Sequence, residues 1–338
     1  MSKPLIRVIG SLHLDFVTTT PRCPDAGETI QGVRFDIGAG GKGANQAAAC
    51  GRASFRSERE QDIDVQMVGA VGKDDPYYKS LLQAELHKSG VSTDLVFEVA
   101  GTTTGSATIL VDEHGENRII FVPGAGFKGM QDAKQILGRG GEKSREPDVV
   151  VLQGEIPRDT VFALVEHFNA SRRTHVVFNP APVWPEGIPA KTMTALSALI
   201  VNESECLLLL RSMVEQGQDI YDVQKESDLD EKSLRAIATG FHEKLQVSTM
   251  IITLASRGVF WSQASGESAL VPAHKVEKVV DTTAAGDTFV GYFTAELARA
   301  QHNQKEFDVG KACTKAAMAA AKCVTRAGAM QSIPYGYE

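Results

Sequence analysis

From residue 149 onward the chain alternates short apolar runs with longer stretches of helical period, and this alternation limits the fold more than any single motif. Strands are expected near 149–152, 176–179, 198–201 and 250–254, and helices near 159–169, 204–211, 231–245, 287–299 and 307–323. A strand that returns by way of a helix pairs parallel to its predecessor. The pattern therefore predicts an α/β fold with a doubly wound, mostly parallel sheet flanked by helices. Ahead of it, 5–10 reads as a buried strand, 42–52 as a helix, 65–70 as a strand and 76–88 as a helix. Two early β-rich patches, 13–37 and 95–122, the second with a hairpin turn at His114 and Gly115, are too short to form a core alone. They are expected to combine as a small β-sheet lid, about 12–38 and 95–124, on one α/β domain spanning 1–338.

Two segments carry chemistry. In Asp281-Thr-Thr-Ala-Ala-Gly-Asp287, small residues crowd two aspartates just before an apolar pattern of helical spacing, Phe289, Phe293 and Leu297. Small residues at a helix start leave backbone N–H groups free and unshielded, which favours an anion. An acid there suits a phosphate site when it does chemistry: Asp287 as a general base on an alcohol, with the amides around Ala284, Ala285 and Gly286 holding the phosphoryl group. The competing reading makes Asp281 or Asp287 an N-cap.

The second segment runs from Gly38 to Arg52, with four glycines in the six residues 38–43. Glycines let backbone approach a ligand closely. Lys42 and Asn45, three apart on the expected helix, share a face and suit a polyhydroxylated ligand. The segment formally contains a dinucleotide fingerprint, Gly38-x-Gly40-x-x-Gly43. That motif belongs in the turn after the first strand, with an acid about 20 residues on. Here it comes much later, and the corresponding region is the charged stretch 58–62. A phosphate-loop reading also fails, because Gly43 follows Lys42 where Ser or Thr is needed and Asp36 stands in place of the first glycine.

Together with Gly27-Glu-Thr29, Asn179-Pro-Ala-Pro182 and Thr253-Leu-x-Ser-Arg-Gly258, the two segments resemble the signatures of the ribokinase-like (phosphofructokinase-B type) carbohydrate kinases. The set runs in that family's order from about Ile6 to Pro334 and is most similar to its ribokinase branch, in a eukaryotic-looking form. The resemblance implies ATP-dependent phosphorylation of D-ribose at O5. It places the sugar on His13, Asp15, Gly41, Lys42, Asn45 and Glu155, and the nucleotide on Asn202, Thr253, Ala255, Gly258 and Gly286. It also implies Mg²⁺ near Glu205 through water, and a monovalent cation, K⁺, at Asp281, Thr283, Gly328 and Ser332. Taken alone, Glu205 could be an acid in a helix's first turn, Asp15 a turn residue and Gly328 a helix-ending glycine. Two positions depart from the family: His13 stands where ribokinases often carry Asn, and Ala255 where Gly is usual.

Composition agrees with an enzyme of ordinary globular type, with 43% hydrophobic and 23% charged residues in 338. A net charge of −7 argues against nucleic acid or an anionic membrane as main partner, so phosphate binding must rely on local amides and a metal. Five scattered cysteines without a C-x-x-C pair read as reduced thiols of a cytoplasmic protein, a nuclear location being compatible. The chain enters a strand almost at once, without the apolar region of a signal peptide, and no apolar run is long enough to span a membrane. Polar stretches at 54–62, 138–147 and 216–231, the last acidic, read as surface insertions. An exposed lid edge suggests a homodimer paired through the lid. The competing functions are a same-fold kinase for deoxyribose, fructose or adenosine, and a non-catalytic sugar sensor.

Overall fold

The computed structural model describes residues 2–114, 116–139, 141, 145–217, 220–221 and 229–338. In chain order the strands are β1 (Leu5–Ile9), β2 (His13–Thr19), β3 (Arg34–Gly40), β4 (Phe55–Ser57), β5 (Glu60–Gln61), β6 (Asp64–Gly72), β7 (Val91–Val99), β8 (Gly105–Val111) and β9 (Asn117–Val122), then β10 (Val149–Leu152), β11 (His175–Phe178), β12 (Ala198–Asn202), β13 (Thr249–Thr253), β14 (Val259–Gln263) and β15 (Ser268–Val271). The helices are α1 (Lys42–Ala53), α2 (Ala84–Lys88), α3 (Ala125–Lys128), α4 (Ala133–Leu137), α5 (Arg158–Ser171), α6 (Ala190–Met193), α7 (Glu203–Glu215), α8 (Glu231–Leu245), α9 (Ala285–His302) and α10 (Val309–Cys323).

Among the described residues, nine strands form one sheet in the order β15-β14-β13-β12-β11-β10-β1-β6-β7. Pairing is parallel from β13 through β7, and antiparallel only where β14 and β15 fold back at one edge. That edge hairpin lies outside the expected alternation. Side chains of a strand alternate between faces, and β10 shows the result. Val149 and Val151 join the core under α1, α9 and α10, while Val150 and Leu152 join the core under α5, α7 and α8. The continuous Val-Val-Val-Leu run is thus what a strand covered on both faces requires. Close packing of α1 on α9 depends on small residues: a Cβ on Gly291 would collide with Ala49.

The second sheet has the order β3-β2-β8-β9. Its central pair β2–β8 is parallel and its outer pairs are antiparallel. The expected lid span 95–124 begins too early. β7 pairs with β6 in the large sheet, so 95–99 is not part of the small one. The physical reason is that 91–99 returns from α2 and pairs parallel to β6, burying Val91, Thr93 and Phe97. Gly115 of the expected hairpin turn lies outside the described residues. The 54–62 stretch is a tight β4–β5 hairpin, and Arg299 of α9 grips Asp62 at 2.8 and 2.9 Å. In the other two polar stretches, 140, 142–144, 218–219 and 222–228 lie outside the described residues, and with them most of the acidic run. Asp230 caps α8 by accepting from Ser233 N at 2.7 Å. Four cysteines are buried and Cys23 is half-buried; all are free thiols. Among the described residues no helix is long and apolar enough to cross a membrane.

Candidate active site

The chain leaves β1 towards β6 on one side and continues through β10 on the other. The crevice between the carboxyl ends of β1 and β10 is therefore the topological switch point, where ligands bind in open α/β sheets. Ser11 lies just past β1 and Glu155 just past β10, and Ser11 Oγ donates to Glu155 Oε2 at 2.6 Å. The same carboxylate oxygen accepts Lys42 N at 2.8 Å, so Glu155 closes the start of α1 onto the crevice. Glycines make the approach possible. Gly41 has φ 90°, and a Cβ on Gly43 would lie 2.5 Å from Ser11 N. Ser11 was not among the residues expected from sequence; a lone serine after a strand gives no signal of its own.

Asp287 lies in the first turn of α9 but does not cap it. The residue before the helix is Ala284, in the left-handed region at φ 61°. Asp287 Oδ2 instead accepts Asn45 Nδ2 at 3.0 Å, and Oδ1 accepts Gln46 Nε2 at 2.9 Å. Burial pushes the Asp287 carboxyl up from its ordinary value, against the Lys42 charge and the two amide donors. Lys42 is raised, first by the Asp287 charge, and so stays an ammonium. Ala285 N–H bends to the Thr282 carbonyl at 3.3 Å, whereas the amides of Ala284, Gly286 and Asp287 have no acceptor among the described residues. Of the three amides expected to hold an anion, Ala285 is thus partly engaged, while the amide of Asp287 is open in addition. A Cβ built on Gly286 would meet open space, which leaves room for a ligand over these amides. Gln46 was missed as a separate contact, although its place beside Asn45 in the glycine-rich motif was the available clue.

His13 and Asp15 belong to β2 and come from the small sheet. Asp15 is the third residue of that strand rather than a turn residue or a strand end. Burial, reinforced by Glu155, pushes Asp15 up to about 6. Gly40, which pairs with His13, lies diagonally across from it, and a Cβ there would collide with the Asp15 carboxylate. His13 is buried, its Nδ1 lies 3.7 Å from Glu155 Oε2, and Phe121 of β9 covers its ring at 4.6 Å between centroids. Burial lowers its pKa, with Glu155 opposing, so the ring is held neutral. Its Nε2 has no partner among the described residues, and neither has Asn45 Oδ1 nor either amide atom of buried Gln153. Such orphaned groups are costly unless a ligand or water meets them.

Asn202, Thr253, Ala255 and Gly258 sit at the carboxyl ends of β12 and β13. Asn202 and Glu205 form a reciprocal capping box on α7, at 2.9 and 2.8 Å. The capping reading of Glu205 is thus correct. The second reading is compatible with it, because the cap engages Oε2 alone. Burial raises the Glu205 carboxyl above its ordinary value, opposed by the hydrogen bond from Asn202 N and then by the Lys42 charge. Thr253 Oγ1 donates to Val201 O at 3.4 Å. Ala255 has φ 47°, which explains why glycine suits that position, and Gly258 has φ 102° where a Cβ would strike Val271 O.

Asp281, Thr283, Gly328 and Ser332 come together. Asp281 accepts Thr283 N at 2.9 Å and Gly328 N at 3.0 Å, and these bonds outweigh burial to hold its carboxyl below the ordinary value. Cys323 joins the two loops, 3.6 Å from Thr283 O and 3.0 Å from Ser332 Oγ. Gly328 lies beyond the C-cap Val324 of α10, in a turn of φ 90° rather than at the helix end. The donor atoms here are carboxylate, carbonyl and hydroxyl oxygens, the chemistry a hard cation takes. Among the described residues no group of three or more His, Cys, Asp or Glu side chains is placed to hold a metal ion together.

A buried carboxylate beneath open helix-start amides, at the switch point of a parallel sheet with a second small sheet alongside, defines a phosphoryl-transferring kinase site. The chain matches the pfkB family carbohydrate kinases over residues 3–335 and belongs to that family. It is 36% identical over 331 residues to the ribokinase of Schizosaccharomyces pombe, covering 97% of this chain and 94% of that one. It is 32% identical over 330 residues to the deoxyribokinase of Salmonella typhi, covering 97% and 95%. Among solved structures it resembles the ribokinase of Arabidopsis thaliana complexed with ribose and ATP, with a TM-score of 0.79, 27% identity and coverage of 99% and 97%.

Proposed function

We propose that this protein transfers the γ-phosphoryl group of ATP to O5 of D-ribose. The observation that carries the reading is Asp287: a buried carboxylate held by two amide donors, in the first turn of a helix whose opening amides at 286 and 287 have no acceptor among the described residues, and under the charge of Lys42. Ribose would lie between the small sheet and α1, with Asp15, Glu155, Lys42 and Asn45 on its hydroxyls and backbone from Gly41 against the ring. Carboxylates accept from adjacent hydroxyls, and the orphaned Asn45 Oδ1 and His13 Nε2 supply further partners. Asp287 takes the O5 proton as O5 attacks in line. The open amides at 284, 286 and 287 stabilise the charge on the transferring group.

ATP would lie across the ends of β12 and β13, against Asn202, Thr253, Ala255 and Gly258. Mg²⁺ fits the Glu205 side, where one carboxylate oxygen remains outside the capping box; bound with ATP it screens phosphate charge. The oxygen donors of Asp281, Thr283, Gly328 and Ser332 fit K⁺, whose role would be to hold the loop that aims the amides. The small sheet serves as a lid. Its exposed Val33, Phe35, Ile119 and Ile120 and its open β3 and β9 edges support pairing with a second copy, which light scattering tests. A cytoplasmic location agrees with the free thiols.

An ATP-consumption screen across ribose, 2-deoxyribose, fructose, ribulose and adenosine tests the substrate. Ribose should give the highest kcat/KM; a higher value for any other acceptor overturns the assignment. 2-Deoxyribose is the second reading, favoured by the similarity to a deoxyribokinase.

A further inference from the structure

We propose that Gln46, backed by Asn179, is a positioning residue that fixes the direction of the Asp287 carboxylate. This rests on the reading of Asp287 as the base. Asn179 follows β11, and its Nδ2 donates to the Ile200 carbonyl of β12 at 2.9 Å. That bond turns Asn179 Oδ1 towards Gln46, whose Nε2 donates to it at 2.9 Å. The same nitrogen donates to Asp287 Oδ1 at 2.9 Å. An amide nitrogen has two hydrogens, and both are used.

The two ends of this path are acceptors only, a backbone carbonyl and a carboxylate. Flipping either amide would set oxygen against oxygen, so orientation passes from the β12 backbone to the base without an alternative. Gln46, Asn179, Ile200 and Asp287 are all buried, which keeps water from substituting. Gln46 Oε1 is left without a partner among the described residues, so this amide serves through its donors. Asn45 holds the other carboxylate oxygen, but its own orphaned Oδ1 and its place beside Lys42 commit it to the sugar. Gln46 is then the donor that stays on Asp287 throughout turnover. The other charged or titratable groups facing Asp287 are Lys42 on α1, Glu155 past β10, Glu205 on α7 and Cys323 at the end of α10.

The test compares Gln46→Met, Gln46→Glu and Asn179→Leu with Asp287→Asn, using kcat and KM across pH, with melting and ADP binding as checks on folding. Gln46→Met should lower kcat by about 10-fold and raise the acid limb of kcat by about one pH unit, because a donor to the charged form is lost. KM for sugar and for ATP should stay within about two-fold, since an orienting residue touches neither. Gln46→Glu keeps the volume but sets carboxyl against carboxyl, and should move the limb further up. Asn179→Leu should shift it the same way by less, and decides the matter if the Gln46 variants do not fold. An unmoved acid limb, or a loss confined to KM, overturns the positioning role. If Asp287→Asn is nearly inactive while the other variants behave as wild type, the positioning role alone falls. If Asp287→Asn stays active, the base assignment falls with it.

Discussion

The side-chain amide of Asn45, on the first turn of α1, donates to Asp287 Oδ2 on the first turn of α9 across 3.0 Å, joining two motifs 242 positions apart. The start of α1 is bonded to Glu155, just past β10, and Asn45 and Gln46 bond the start of α9, so the two N-terminal ends converge on one crevice. In the proposed reaction, with Asn45 on the sugar and Asp287 as base, this one hydrogen bond would tie substrate position to base position.

Removing the base should separate chemistry from binding. Asp287→Asn retains the shape and the fold but cannot take a proton, so kcat should fall by about 10²–10⁴ with ADP binding preserved. Retention of more than about a third of wild-type kcat would exclude Asp287 as general base.

Cation dependence follows from the Asp281 turn. With Asp281 bonded to both Thr283 N and Gly328 N, a bound K⁺ would stiffen the loop that leads into the anion hole. Activity in buffer free of Na⁺ and K⁺, with Mg²⁺ and ATP present, should be low and rise on adding K⁺. Asp281→Ala should lose that response. Equal rates with and without K⁺ at matched ionic strength would eliminate the site.

Asp15 predicts a pH limb. Pushed up to about 6 by burial and by Glu155, it loses its charge as pH falls through that value, and with it acceptor capacity for the sugar. kcat/KM for ribose should therefore drop below about pH 6, and Asp15→Asn should remove that limb while lowering kcat/KM throughout. Stability runs the other way. A carboxyl raised above its unfolded value favours the protonated folded form, so its contribution weakens as pH rises from the ordinary carboxylate range through about 6. Melting profiles of wild type and Asp15→Asn against pH check this slope.

His13 should set sugar choice. Its neutral ring has one buried nitrogen without a partner among the described residues, which in the proposed reaction would meet a ring hydroxyl. His13→Ala should raise KM for ribose by about 10-fold, the loss of one neutral hydrogen bond of about 1 kcal/mol or slightly more. It should also narrow the preference for ribose over 2-deoxyribose and leave KM for ATP unchanged. Unaltered kinetics with both sugars would make His13 a packing residue under Phe121.

Local information in the sequence determined the parallel α/β core, the helix start at Lys42 and the family itself, and it placed the start of α9 within two residues of Ala285. These depend on short-range quantities: strand and helix period, glycine content, and the residue types within two motifs. Tertiary structure decided which of the residues meet. The run 95–99 has the alternation of a small-sheet strand, yet lies in the large sheet because its register with β6 is set by packing far outside any local window. That neither Asp281 nor Asp287 caps α9 was also decided by the tertiary structure: one bonds its own turn and Gly328, the other bonds α1. Ser11 stayed silent in the sequence, and Gln46 was marked only by its place beside Asn45, because a hydroxyl or an amide has no role until strand order brings a carboxylate within reach. Strand order is a property of the packed whole, and local periodicity does not encode it.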